Sequence, residues 1–135
     1  GNSNVAISID VNPKAILFSD KSRIKMVVSN LLANALRYHD PEKTDPYVYI
    51  SIQPSDAGVT ISINDNGIGI SRDKHEKVFD MFYRASVQSE GTGIGLYIVK
   101  ETVEKLNGTI TLISEPGVGS DFSIYLPTIN PQAKQ

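Results

Sequence analysis

Three groups of residues in this chain have types and spacings that could do chemistry. In "NLLANALRY" (Asn30–Tyr38), Asn30, Asn34 and Arg37 recur at helical steps. On a helix they fall within about 60° of one another, beside the apolar stripe and not opposite it. An amide oxygen can ligate a hard cation such as Mg²⁺, and a guanidinium suits phosphate oxygens. An ordinary solvated helix face would use the same residues. In "ISINDNGIGI" (Ile61–Ile70), a strand pattern places Asp65 in one row with Val59, Ile61 and Ile63. A carboxylate ending an apolar row needs a hydrogen-bond donor, either a ligand's amino group or the backbone of an Asp-Asn-Gly turn. Gly67 and Gly69 allow a sharp turn and leave room for a flat ring. In "EGTGIGLYIVK" (Glu90–Lys100), Gly91, Gly93 and Gly95 precede an apolar-periodic run. Exposed N–H groups at a helix start, with glycine permitting close approach, make a phosphate cradle; a plain hinge would also use glycine. The spacing matches neither a dinucleotide fingerprint nor a P-loop.

The elements that must position these groups are legible as periodicities. Val5, Ile7, Ile9 and Val11 alternate as in a half-buried strand, and "AILF" after Pro13 reads as a second strand or a helical turn. Asp20 is placed to cap a helix whose Ile24, Val27, Val28, Leu31, Leu32, Ala35 and Tyr38 form one face. "HDPEKTDP" ends it, with "EKTDP" read as a solvated loop. "YVYISIQP" and "GVTISIND" form a hairpin around Ser55 to Gly58. Ser71 is expected to cap a short helix through "RDKHEKVFDMF", and "RASVQSEGTG" reads as a loop. A helix then runs to Asn107, with Gly108 in the C′ role, before a closing hairpin around Pro116 and Gly117. The order predicts an α+β two-layer sandwich: a mixed, mostly antiparallel sheet covered on one face by helices.

With 135 residues the chain suits one domain. A formal net charge of −2 gives no reason to expect nucleic acid as a partner. Absence of cysteine excludes disulfides and thiolate metal sites. No apolar run approaches the roughly 18 residues of a membrane span. "GNSN" and the residues after Pro127 read as flexible tails, leaving a domain over 5–127.

Taken together, these pieces resemble the catalytic and ATP-binding domain of sensor histidine kinases, with its Bergerat-type ATP-binding fold shared with gyrase-, Hsp90- and MutL-type proteins. "NLLANALRY" is similar to the family's N box, "DNGIGI" to its G1 box, "VFDMFYR" to its F box and "GTGIGLYIVK" to its G2 box. "GVGSDFSIYLP" is similar to the usual end of the domain. The resemblance implies ATP and Mg²⁺ as ligands, with Asn34 as metal ligand and Asn30 beside it on the phosphate side. It implies Arg37 near the phosphates, Tyr38 against adenine or ribose, and Asp65 accepting from the adenine amino group, with Gly67 and Gly69 shaping that pocket. Arg84 would reach the γ-phosphate. Gly91, Thr92, Gly93, Gly95 and Leu96 would line the nucleotide, and Ser71 to Thr92 would form a lid.

Two positions depart from the family pattern. Met81 stands where many relatives carry a further basic residue, and Glu90 where they often have glycine. A third position separates branches: ATP-hydrolysing relatives carry a glutamate base four residues before the metal-binding asparagine, where this chain has Asn30. An amide cannot accept that proton, which favours transfer to an imidazole over hydrolysis. His75 reads as an exposed lid residue and His39 as a surface turn residue. Tyr47, Tyr49 and Tyr83 read as sheet and lid packing. The resemblance therefore implies an acceptor histidine on a dimerisation domain absent from this chain, and a response regulator receiver domain as partner. It also implies a monomeric fragment of a homodimeric protein, and a cytoplasmic domain whether or not the full-length protein is anchored in the bacterial inner membrane. The competing expectation is a degenerate nucleotide-sensing or docking module.

Overall fold

The computed structural model describes residues 4–83 and 94–129. Five strands form one sheet: β1 (Ala6–Val11), β2 (Tyr47–Ser55), β3 (Gly58–Asp65), β4 (Thr109–Glu115) and β5 (Gly119–Pro127), in the order β1-β2-β3-β5-β4. Only β1 and β2 run parallel; the other pairs are antiparallel. Helices α1 (Lys21–Arg37) and α2 (Gly95–Lys105) pack against each other and cover one face. The mixed sheet with a single helical layer is the α+β sandwich expected from the order of elements.

Register explains the core. Val48 and Ile50 of β2, Val59, Ile61 and Ile63 of β3, and Phe122, Ile124 and Leu126 of β5 all point to the helical side and are buried. Val27, Leu31 and Ala35 of α1 meet Val99, Val103 and Leu106 at the end of α2 above them. Each fully buried Val, Leu, Ile or Phe side chain among these contributes about 1.5–3 kcal/mol. The predicted cap is present: the Arg23 N–H donates to Asp20 Oδ1 at 3.1 Å. The β2–β3 hairpin turns through Asp56 and Ala57, and Ala57 takes a φ of 52°.

Several expectations need correction. β1 is exposed along its whole length, not half-buried. Its Ile7, Ile9 and Val11 pair with Val48, Ile50 and Ile52, so they share the helical side. They lie at the sheet edge, however, while α1 packs over β2 and β3. "AILF" is neither strand nor helical turn. It is irregular chain whose burial alternates, with Ala15 and Leu17 against the core and Ile16 and Phe18 outward. Phe18 also joins the chain after β5: its N–H donates to Thr128 Oγ1 at 2.8 Å, and its carbonyl accepts from Ile129 at 2.6 Å. Thr128 and Ile129, assigned above to the tail, are thus tied to the fold.

"RDKHEKVFDMF" forms two 3-10 turns, Arg72–Lys74 and Lys77–Phe79, and Ser71 makes no side-chain cap bond. The segment has no continuous apolar face to bury, only Val78 and Phe79, so packing does not extend a helix through it. Phe79 packs edge-on against Phe122, with Lys100 of α2 5.7 Å from its ring centre. The left-handed C′ residue after α2 is Asn107 (φ 63°), not Gly108. Its N–H donates to Glu104 and that of Gly108 to Val103, the paired bonds of a Schellman ending. Glycine is needed next because a Cβ on Gly108 would meet the Tyr125 carbonyl at 2.2 Å. Tyr47 and Tyr49 are not packed in but lie partly exposed on the open face, with the Tyr49 hydroxyl donating to Asp10 Oδ2 at 3.1 Å.

Candidate functional site

The second half of α1 connects the two regions that the sequence singled out. Asn30 is half-buried, and its Nδ2 donates to the Met26 carbonyl one turn back at 2.9 Å. That bond leaves Oδ1 directed at the start of α2, where a Cβ on Gly95 would come within 3.3 Å of it. Gly95 opens α2, and Ile94 at the N-cap position supplies no side-chain bond. Among the described residues no side chain caps the first N–H groups of α2, and such groups at a helix start suit an anion. Leu96 packs partly buried against the core and fixes that first turn.

One turn further along α1, Asn34 is half-buried, and Arg37 is exposed in the last turn. Tyr38 caps the helix, and its carbonyl accepts from the Ile68 N–H at 3.0 Å. A Cβ on Gly67 would meet that same carbonyl at 2.4 Å and Asp65 Oδ1 at 2.9 Å. Gly67 is thus required by close approach. Gly69 is required twice over, by a φ of 76° and by the Glu115 carbonyl 2.0 Å from its would-be Cβ.

Asp65 ends the inward row of β3 and is only 9% exposed. One carboxylate oxygen accepts from the Gly67 N–H at 2.8 Å. The turn reading of this residue is thus met: it bonds its own turn while lying buried at the end of an apolar row. Burial pushes its pKa above the ordinary carboxylate value. The backbone N–H groups of Gly67 and Ser120 and the charge of Lys43 pull it partly back, while Asp121 opposes them. Ser120 and Ser114 stand beside it, their hydroxyls 2.7 Å apart, and Ser114 Oγ accepts from the Ile70 N–H at 2.7 Å. These bonds fasten the turn after Asp65 to the β4–β5 hairpin.

The residues present fit a nucleotide with its own cation. The buried Asp65 carboxylate suits a neutral amino donor, and the N–H groups at the start of α2 suit phosphate. Among the described residues no group of three or more His, Asp or Glu side chains could hold a metal. A cation here would rest on an amide oxygen and phosphate oxygens, the arrangement magnesium favours with nucleotides.

The structure brings Asn30 to Gly95, and Tyr38 to Gly67 and the Asp65 turn. Arg84, Gly91, Thr92 and Gly93 lie outside the described residues, as does Glu90. Met81 is exposed. His75 is not the exposed residue expected from sequence: it is half-buried, and its Nε2 donates to the Ile70 carbonyl at 2.9 Å. His39 is held by its own helix end, with Nδ1 2.8 Å from the Leu36 carbonyl.

Sequence reasoning missed Lys43, in the stretch read as a solvated loop. Its ammonium donates to the carbonyls of Asn66 (2.7 Å), Val118 (3.1 Å) and, more weakly, Gly67 (3.4 Å). The one local signal was the Asp-Pro-Glu-Lys turn: the Asp40 carboxylate accepts from Glu42 and its carbonyl from Lys43. Asn66 makes a second tie, donating to the Asp45 carbonyl at 2.9 Å and accepting from the Tyr47 N–H at 2.8 Å.

Comparison with known proteins follows the same lines. The family described as histidine kinase-, DNA gyrase B-, and HSP90-like ATPase matches residues 19–130. The sensor-like histidine kinase SenX3 of Mycolicibacterium smegmatis is 37% identical over 130 residues, which are 93% of this chain and 33% of that protein. The sensor protein kinase WalK of Staphylococcus aureus is 38% identical over 121 residues, covering 85% of this chain and 29% of that protein. This chain thus spans about a third of the length of such relatives. Among solved structures, the mycobacterial sensor histidine kinase MprB superposes with a TM-score of 0.77 at 29% identity, over 91% of this chain and 81% of that one. Full-length ShkA, solved in complex with AMPPNP, gives 0.76 at 25% identity, over 94% of this chain and 27% of that one.

Proposed function

Because the chain belongs to the histidine kinase-, DNA gyrase B-, and HSP90-like ATPases, as the ATP-binding catalytic domain of a sensor histidine kinase, we propose that its reaction is transfer of the γ-phosphate of ATP to a histidine on a separate dimerisation domain. The observation that carries this reading is the layout of α1. Asn30 faces the start of α2, and eight residues on, Tyr38 is bonded to the turn that holds Asp65. That interval is on the order of 12 Å along the helix axis, which separates a phosphate end from a base end.

The residues divide the work accordingly. Asp65 accepts from the adenine amino group, with Gly67 and Gly69 shaping the pocket and Tyr38 packing beside the base. Gly95 and Leu96 present the first turn of α2 to phosphate, together with Gly91, Thr92 and Gly93. Asn34 holds Mg²⁺, which when bound offsets phosphate charge. Arg37 and Arg84 meet the phosphate oxygens, and Asn30 orients the same end without acting as a base. No base is needed from this chain, because a neutral imidazole brings its own lone pair. A response regulator receiver domain would take the phosphoryl group next. The full-length protein would be a homodimer with this domain in the cytoplasm. Among the described residues no helix is long and apolar enough to cross a membrane.

The test is radiolabel transfer from γ-labelled ATP to a supplied histidine-bearing dimerisation segment, with Mg²⁺. Acid-labile, base-stable label on the acceptor is the expected result. A chain that binds nucleotide yet leaves several such segments unlabelled would overturn transfer.

A further inference from the structure

We propose that Lys43 is a positioning residue for base recognition: its ammonium clamps the turn after Asp65 to the β4–β5 hairpin in the arrangement that presents the Asp65 carboxylate to an adenine amino group. The inference rests on the nucleotide reading above and deepens it, since it makes a loop residue between α1 and β2 a determinant of which base is accepted.

Lys43 reaches the carbonyls of Asn66 and Gly67 on one side and Val118 on the other. Three carbonyl oxygens converging on one ammonium would repel one another without it, and charge-assisted bonds are about twice as strong as neutral ones. Gly67 in turn donates to Asp65 Oδ1 at 2.8 Å, so the peptide that Lys43 grips also sets the carboxylate orientation. The backbone is crowded around it. Gly67 has no room for a Cβ beside Tyr38, and a Cβ on Gly119 would meet the Asp65 carbonyl at 2.0 Å. A small shift of the turn would therefore carry Asp65 with it.

Lys43 is also placed for this by its own backbone. It closes the turn begun at Asp40, with Pro41 fixing the second position. The ionised groups acting on Asp65 are Lys43 from this loop, which favours its charged form, and Asp121 from β5, which disfavours it. Removing Lys43 leaves only the Gly67 and Ser120 N–H groups to oppose burial and Asp121. Asn66 fastens the same loop independently, so a Lys43 variant retains a tie between the two segments.

The experiment is calorimetric titration of wild type, Lys43→Met and Lys43→Arg with ADP and with purine riboside diphosphate, which lacks the 6-amino group, across pH 5 to 8. Lys43→Met should bind ADP about tenfold more weakly, the equivalent of one charge-assisted bond. Its preference for ADP over the purine analogue should shrink, and the acid limb of binding should move to higher pH as Asp65 loses its cation. Lys43→Arg, which keeps the charge, should hold the acid limb near wild type. If the methionine variant does not fold, Lys43→Gln gives the same comparison with a polar, uncharged chain. A folded uncharged variant with wild-type affinity, base preference and acid limb would overturn the role of Lys43 alone. Wild-type protein that binds no ADP would overturn the nucleotide reading and this inference with it.

Discussion

The Ile68 N–H donates to the Tyr38 carbonyl at 3.0 Å, and this bond closes the end of α1 onto the turn that carries Asp65. A helix end normally leaves its last carbonyls to water or to a following glycine. Here one of them is used to register two segments thirty residues apart in the chain. The Asp65 turn and the start of α2 beside Asn30 are consequently both held to the same rod.

Asp65→Asn should abolish measurable preference for adenine and weaken ADP binding at least about tenfold, since an amide accepts less strongly than a carboxylate. It should also stabilise the nucleotide-free chain at neutral pH. The folded carboxyl has a raised pKa, so its favourable contribution is complete below the unfolded value and is lost as pH rises through the folded one. Urea unfolding at pH 7 and at pH 4 checks this: the variant's advantage should be present at the first and diminish at the second. A variant no more stable than wild type at pH 7 would refute the burial argument.

Gly69→Ala and Gly117→Ala form a matched pair. Both glycines have φ near the left-handed region, at 76° and 79°, but a Cβ at Gly69 meets the Glu115 carbonyl at 2.0 Å while one at Gly117 meets nothing within 4 Å. Gly117→Ala should cost about 1 kcal/mol from backbone strain. Gly69→Ala should cost about 2–4 kcal/mol because strain and overpacking act together. Equal losses in denaturant titration would show that the crowding at Gly69 is relieved cheaply.

Asn34→Ala should remove most of the benefit of Mg²⁺ without unfolding the helix, since alanine is the better helix former. ADP affinity measured with and without Mg²⁺ should differ clearly in wild type and by less than about twofold in the variant. A variant that keeps the full Mg²⁺ effect would move the cation away from Asn34.

Wild-type chain should hydrolyse ATP slowly, and Asn30→Glu should raise that rate by about tenfold or more, because a carboxylate beside Gly95 can take the proton from water. Phosphate release is the measurement. Brisk turnover by the wild-type chain would contradict the assignment of Asn30 as an orienting group.

What the sequence made legible was whatever a local pattern dictates. The period of α1 and the Asp20 cap located the helix, and alternation along β3 placed Asp65 in a buried row. The rest depends on how distant segments approach one another. Alternation identified the apolar side of β1 but not whether a helix would cover it. Asn107 and Gly108 are both acceptable left-handed residues, and the nearby Tyr125 carbonyl decides which position must be glycine. Lys43 sits in a charged stretch with no periodicity, and its three carbonyl partners come from two other turns.

The uncovered edge of the sheet has a consequence for the chain in solution. Among the described residues no strand pairs with the outward side of β1, which offers a row of backbone donors and acceptors flanked by Ile7, Ile9 and Val11, each about half exposed or more. Such a strand is a template for a further one, and β-branched residues favour that pairing. Asp10, on the opposite face and bonded to Tyr49, is the one charge in β1 to discourage it. Concentrated samples will therefore tend toward self-association through this edge, and a lysine at Ile9 should make them more soluble without touching the nucleotide pocket.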